Sequence, residues 1–339
     1  MSDQPLKVTA TDVARLAGVS QSAVSRVFTP GASASKATVA KVRAAAEQLG
    51  YRPDPLARAM ITGRTRIIGL IVAYLDNQFY PLALERLSKG FQDQGYHILL
   101  FLIGNDPDRV ETVVRELMDY RVDGIVTASV GLSNAVVARC EAAGIPVVMF
   151  NRGQDDERLT EVTSDNIAGG RAAAQVLVAG GHRRIAHIAG WQGSSTGRDR
   201  TQGFVQGLAE AGLAPVVIED GLYSQDTAAA LTRRIFAAPE RPNAVFVGND
   251  HMAFAVMDVL RFELGLSVPD DVSVVGYDDV PIAAWPAYDL TTIRQPVNRM
   301  AEATVEAMLA RIEGDSAPRH IRIEGPLIRR GSVRERTAQ

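Results

Sequence analysis

The chain has 339 residues, with 36 Lys and Arg set against 39 Asp and Glu for a formal charge of −3. At roughly 100–200 residues per domain it holds two or three domains, and its 46% hydrophobic content excludes a disordered or fibrous chain. Taken whole, the charge argues against a nucleic-acid partner, the lack of an apolar run near ~18 residues excludes a membrane-spanning helix, and the single Cys140 excludes an internal disulfide.

The charge is unevenly distributed. Residues 1–66 carry ten basic side chains against Asp3, Asp12, Glu47 and Asp54, an excess of +6, while the remainder carries 26 basic and 35 acidic residues, −9. A small basic module attached to an acidic body is the expected organisation. Within the module, Thr11-Asp12 caps a short helix that Gly18 ends. Ser20 opens a second helix, SQSAVSRVF, with Val24, Val27 and Phe28 on one face, and Thr29-Pro30-Gly31 breaks it. Ser35 caps a third, KATVAKVRAAAEQLG, with Val39, Val42, Ala46 and Leu49 turned inward. Three short helices with a tight turn between the first two read as a helix-turn-helix.

Such a module inserts the N-terminal residues of its second helix into the major groove. Those residues are Gln21 and Ser22, with Arg26 one turn on. Gln can pair bidentately with adenine and Arg with guanine, so these three are the expected base readers. The hydroxyls of Thr9, Ser20, Ser25 and Ser35 suit phosphate oxygens, which fix position without reading sequence.

The stretches VTATDVARLAGVSQSAVSRVF and KVRAAAEQLGYRPDPLARAM resemble the DNA-binding head of the lactose-repressor/galactose-repressor (LacI/GalR) family, and the likeness extends along nearly the whole chain. The resemblance implies a head over 1–50, with Tyr51 a further phosphate contact, and a hinge over 51–65. It also implies that the hinge forms a helix on operator DNA and sets Ala57 and Met60 in the minor groove, Met60 as the apolar wedge.

From residue 66 to 339, apolar runs alternate with segments of helical length: IIGLIVA, HILLFLI, GIVTA, PVVMF, RIAHIA, AVFVG and VSVVGYD. This pattern predicts parallel sheets covered on both faces, and its length predicts two α/β lobes with a cleft between them. The N-lobe is expected over about 66–163 and 295–323, and the C-lobe over about 164–292 and 324–339. The fold class is thus a small all-α head plus a two-lobed core like that of periplasmic binding proteins.

Ligands of open α/β sheets bind beyond the carboxyl ends of strands. Asn77, Phe79, Tyr80, Asn151, Arg152, Thr196, Arg200, Asn249, Asp278 and Gln295 stand after such runs, and with Tyr223, an aromatic that could stack on a ligand, they form the candidate effector site. Asn151, Arg200, Asn249, Asp278 and Gln295 are polar contacts implied by the family resemblance, with Thr196 and Tyr223 as further contacts. Amides, carboxylates and an Arg grip paired hydroxyls, so a sugar or sugar derivative is the expected effector, with Phe79, Tyr80, Tyr223 or Trp285 available to stack on it. A purine or nucleoside is the alternative.

The expected protein is a non-enzymatic DNA-binding regulator, a repressor that meets double-stranded palindromic operator DNA as a homodimer. The rival readings are weaker. Gly193-Ser194-Ser195-Thr196-Gly197 fits a hydrolase elbow whose triad would need Asp278 and His320, but His320 falls in a strand-like segment. A solute-binding protein with an unrelated extension would not carry the complete helix-turn-helix. No Cys/His cluster has zinc spacing, so neither metal nor cofactor is expected. The N-terminal segment lacks the apolar run of a secretory signal, which places the protein in a reducing cytoplasm. No heptad segment follows PLIRRGSV, which favours a dimer without a tetramerising coiled coil.

Overall fold

The computed structural model describes residues 8–29, 32–52, 63–104, 107–154 and 156–335. The chain divides between Arg66 and Ile67 into two compact units.

The first unit is a bundle of α1 (Ala10–Ala17), α2 (Gln21–Phe28) and α3 (Lys36–Leu49). Val13, Ala14, Val24, Val42, Ala45 and Ala46 form its core, and Phe28 and Tyr51 pack against them with ring centroids 6.0 Å apart. Helix α1 begins earlier than the sequence suggests. Thr9 is the N-cap, and the Asp12 carboxylate reaches back to accept from the Thr9 amide at 3.0 Å and the Thr9 hydroxyl at 2.7 Å. An acid three residues into a helix closes this reciprocal cap more readily than it starts a helix itself. Ser20 and Ser35 cap α2 and α3 by accepting from Ala23 N–H and Thr38 N–H. Gly18 ends α1 in the left-handed conformation, φ 64°, which makes the tight turn into α2 possible.

The second unit contains two six-stranded sheets. In chain order the N-lobe elements are β1 (Ile67–Val72), α4 (Phe79–Asp93), β2 (His97–Leu102), α5 (Pro107–Asp119), β3 (Gly124–Ala128), α6 (Asn134–Ala142), β4 (Val147–Phe150) and β5 (Thr160–Ser164). The chain then crosses to α7 (Asn166–Ala179), β6 (Ile185–Ala189), α8 (Ser195–Glu210), β7 (Val217–Asp220), α9 (Gln225–Phe236), β8 (Ala244–Val247), α10 (Asp250–Asp258), β9 (Ser273–Asp278) and β10 (Thr291–Arg294). It returns through α11 (Val297–Ile312) to β11 (His320–Ile323) and ends with β12 (Leu327–Ile328).

The first sheet runs β11-β5-β4-β3-β1-β2, all parallel, and the second β12-β10-β9-β8-β6-β7, parallel except for β12. Strands buried on both faces read as continuous apolar runs, as β3, β4, β6 and β8 do. Strand β7, VIED, is absent from the predicted runs because it is a short, half-exposed edge strand with acidic residues. Sheet order reverses between β1 and β3 in one lobe and between β6 and β8 in the other. These switch points are where such folds open a crevice beyond the strand ends.

Helices α7 and α8 pack against each other through glycines. A Cβ on Gly170 would strike the Arg200 carbonyl and the Phe204 amide, and one on Gly203 would strike the Ile167 carbonyl. Their absence lets two backbones touch, which seats Arg200 in the first turns of α8 beside Asn166 at the start of α7. Gly203→Ala is therefore expected to lower the stability of the core unit by about 1–3 kcal/mol, read by chemical denaturation. An unchanged midpoint would show that the helices separate without cost.

Candidate DNA-reading helix and interlobe binding site

On α2, Val24 is buried while Gln21, Ser22 and Arg26 are exposed and Ser25 is half-buried. Positions 22, 25 and 26 share a face at three- and four-residue spacing, opposite the side that packs in the bundle. The Arg26 Nε donates to the Ser22 carbonyl at 3.4 Å, laying the guanidinium along the helix toward its N-terminus. The predicted phosphate contacts are less uniform. Ser20 and Ser35 act as caps, the Thr9 hydroxyl donates to Asp12, and the Tyr51 ring packs on Phe28. Ala57 and Met60 lie outside the described residues.

In the core, all eleven residues of the candidate effector site line one space between the two sheets, together with Tyr74. Asn77, Phe79, Tyr80, Asn151 and Arg152 come from the N-lobe strand ends. Thr196, Arg200, Tyr223, Asn249 and Asp278 come from the other lobe, and Gln295 from the crossover between β10 and α11. Asn77, Asn151, Thr196, Arg200, Asn249, Asp278 and Gln295 are all buried. The side chains meet each other so closely that the space is about 10 Å³, room for one water.

Asp278 is the hub. Its carboxylate accepts from Gln295 Nε2 at 2.7 Å and from Asn77 Nδ2 at 3.5 Å, and lies 3.7 Å from Arg200 Nη1. Arg200 is held by its surroundings: Nε donates to Asn166 Oδ1 at 2.9 Å, Nη1 to the Gly248 carbonyl at 2.6 Å, and the guanidinium lies 3.7 Å from the Tyr277 ring centroid. Asn151 Nδ2 donates to the Tyr80 hydroxyl at 3.1 Å, which also bonds Ser129, and the Thr196 and Tyr223 hydroxyls are 3.0 Å apart. Asn249 caps α10 by accepting from Met252 N–H. Asn151, Tyr223 and Asp278 all have positive φ, at 69°, 57° and 126°. Such conformations cost energy in non-glycine residues and cluster where geometry is tied to function.

Two carboxylates share this region. Burial, followed by the Asp278 charge, pushes Asp250 up to about 7, against hydrogen bonds from the Thr292 hydroxyl and Val280 N–H. Burial also pushes Asp278 up, to about 6, with Arg200, Gln295 and Asn77 acting in the opposite direction. Tyr80 is pushed up to about 12 by burial. It therefore stays protonated as a hydroxyl donor.

Tyr74 and Ser129 are absent from the residues the sequence nominates. Both follow strand ends, β1 and β3, so the same rule would have found them. Trp285 is 55% exposed and lies outside the cavity, on a surface turn after Pro281–Ala284. The hydrolase constellation does not assemble. The Ser195 hydroxyl accepts from Gly153 N–H at 3.0 Å, whereas His320 sits on β11 with its Nδ1 3.2 Å from Glu161. Among the described residues no group of three His, Cys, Asp or Glu side chains is placed to hold a metal, and no helix is long and apolar enough to cross a membrane.

A helix-turn-helix with an exposed polar second helix, on the same chain as a two-lobed core with a polar interlobe cavity, defines a ligand-responsive DNA-binding regulator. Residues 9–54 match the family model for bacterial regulatory proteins of the lacI family, and residues 174–333 that of the periplasmic binding protein-like domain. The HTH-type transcriptional repressor PurR of Vibrio parahaemolyticus is 34% identical over 309 residues, covering 90% of this chain and 92% of its own. The ribose operon repressor of Escherichia coli is 34% identical over 312 residues, 90% of this chain and 93% of its own. The solved Lac repressor dimer bound to operator and the anti-inducer ONPF superposes with a TM-score of 0.87 at 27% identity, covering 96% and 98% of the two chains. The chain belongs to the lacI family of bacterial regulatory proteins. It is a DNA-binding repressor with an effector domain, not an enzyme.

The raised carboxyls make a pH prediction. A group whose folded pKa lies above its ordinary 3.8 binds its proton more tightly when folded. The stability it adds is full below about pH 4 and is lost as pH rises through about 7. The stability of the wild-type core relative to Asp250→Asn should fall steadily across that window, measured by denaturation at each pH. A difference that stays constant with pH would remove Asp250 from the buried titrating pair.

Proposed function

We propose that this repressor binds a pseudo-palindromic operator as a homodimer and that a small polyol, a sugar or sugar derivative, controls its affinity from the interlobe cavity. The observation that carries this reading is the chemistry of the cavity wall. Asp278, Asn151, Gln295, Asn77 and Arg200 converge from both lobes. Among the described residues, Asn151 Oδ1 and Gln295 Oε1 are buried without a hydrogen-bond partner. Unmet acceptors beside a buried carboxylate suit hydroxyl donors, because leaving such atoms unpaired costs about 1–3 kcal/mol each.

The same contacts supply the coupling. Asn77 of the N-lobe bonds Asp278 of the C-lobe, and Gly153 N–H bonds the Ser195 hydroxyl across the same divide. A ligand that takes over the Asp278 carboxylate competes with the Asn77 bond and resets the two lobes. It shifts operator affinity only by its unequal affinity for the two arrangements. The operator would be read by Gln21, Ser22 and Arg26, with Thr9, Ser20, Ser25, Ser35 and Tyr51 on phosphates and Ala57 and Met60 in the minor groove. As a regulator of transcription, the protein would act in the cytoplasm, where the operator is.

Dimerisation has surfaces available. β2 is the edge of the first sheet and exposes Leu100 and Leu102, while the C-lobe exposes Phe262 at 80% and Trp285 at 55%. Large apolar side chains on an unpaired edge, on a short helical segment and on a surface turn are liabilities in a monomer, and a two-fold partner would cover them.

Arg26→Ala should weaken binding to the selected operator by about 1–3 kcal/mol and relax preference at one base pair, measured by fluorescence anisotropy on single-base variants. Uniform weakening on every sequence would make Arg26 a phosphate contact instead. Asp278→Ala should abolish the response to the effector while operator binding persists. Loss of DNA binding in the ligand-free variant would contradict the division of roles.

A further inference from the structure

We infer that the effector is anionic, a polyol bearing a carboxylate or phosphate that pairs with Arg152. This rests on the reading of the interlobe cavity as a polyol site and specifies its ligand class. Arg152 lines both the tight polar space and an adjoining chamber of about 450 Å³, which Tyr74 and Tyr223 also share. That volume lies within the range of small-molecule sites, whereas the inner space alone does not.

The charges that the described residues bring to the two spaces do not balance. Arg200 and Asp278 answer each other at 3.7 Å, and among the described residues the remaining charged side chain lining the two spaces is Arg152. Among the described residues its guanidinium makes no hydrogen bond or ion pair, and its Nε is buried without a partner. What holds it is the face of Trp191, 5.3 Å away at the ring centroid. A guanidinium over an indole face gains cation–π attraction without using its N–H groups, which leaves the planar fork that fits a carboxylate or phosphate available to a ligand. Its positive charge bears on the phenols of Tyr74 and Tyr80 at the junction of the two spaces. The ligand's hydroxylated part would engage Asp278 and its neighbours. Its acidic end would lie at the junction, near Arg152, with the aromatic walls of the chamber beyond.

The test is a thermal-shift and calorimetry panel on the full chain. Ribose, glucose, galactose and mannose are each compared with their aldonate and their terminal phosphate ester, which separates carboxylate from phosphate. The expected result is one acidic member binding at least tenfold more tightly than its neutral parent. That preference should vanish in Arg152→Met and survive in Arg152→Lys. A neutral parent that binds as tightly as its acid overturns the inference and leaves the polyol site standing. An acid preference that survives Arg152→Met also overturns it, since the pairing charge then lies elsewhere. Binding by no polyol, neutral or acidic, overturns the site reading and the inference together.

Discussion

A carboxylate buried between two lobes needs partners, and much of the core is arranged to supply them to Asp278. At 5% exposure it cannot be solvated by bulk water, so its charge is met by Gln295, Asn77 and Arg200. Arg200 is itself buried and cannot lose its proton, which requires the framework of Asn166, Gly248 and Tyr277 around it. The partners come from both lobes, so the hydrogen-bond web that satisfies one charge also joins two sheets. A ligand that replaces part of this web necessarily acts on the joint.

The web in turn depends on close backbone approach behind it. Arg200 sits in the first turns of α8, and α8 reaches its place because Gly170 and Gly203 let it touch α7 backbone to backbone. Asp278 sits at the end of β9, with φ at 126°, where the strand gives way to the loop carrying Asp279. Asp279 has its own partners, Arg294 at 2.6 Å and Arg330 at 2.7 Å. The two adjacent acids therefore face different tasks: one is tied to the lobe's surface, and the other is aimed at the cavity. Helix packing and strand-end conformation thus position the chemistry, and the chemistry supplies the link between lobes.

Much of this is legible in the sequence because two physical rules leave strong traces. Parallel strands covered on both faces must be apolar throughout, so runs such as PVVMF and AVFVG mark them directly. Binding sites lie beyond their carboxyl ends, so the polar residues that follow, Asn151 and Asn249 among them, can be named from the order of residues alone. The same rule reaches Tyr74 and Ser129, which follow β1 and β3. Other features leave little trace. Whether Asn249 caps a helix or faces a ligand depends on side-chain direction, and here it caps α10 while lining the cavity. Thr9 and Asp12 close a cap together because of spacing, which moves the start of α1. The unmatched charge of Arg152 is a property of three-dimensional neighbourhood, invisible in a linear sequence where Asp and Arg are plentiful. The overall charge of −3 conceals a basic head and an acidic body, a division that gives the phosphate-facing work to one unit alone.

On the proposed reading, the polar web at the strand ends is the effector's receptor. Hydrogen–deuterium exchange, with and without whichever polyol stabilises the protein most, tests it directly. Protection is expected on the segments around Asn77, Asn151, Thr196, Tyr223 and Asp278, drawn from both lobes at once. Protection confined to a separate groove of the core, lined by Glu141, Arg158, Arg311 and Asp315, or absent from the strand ends, would contradict it.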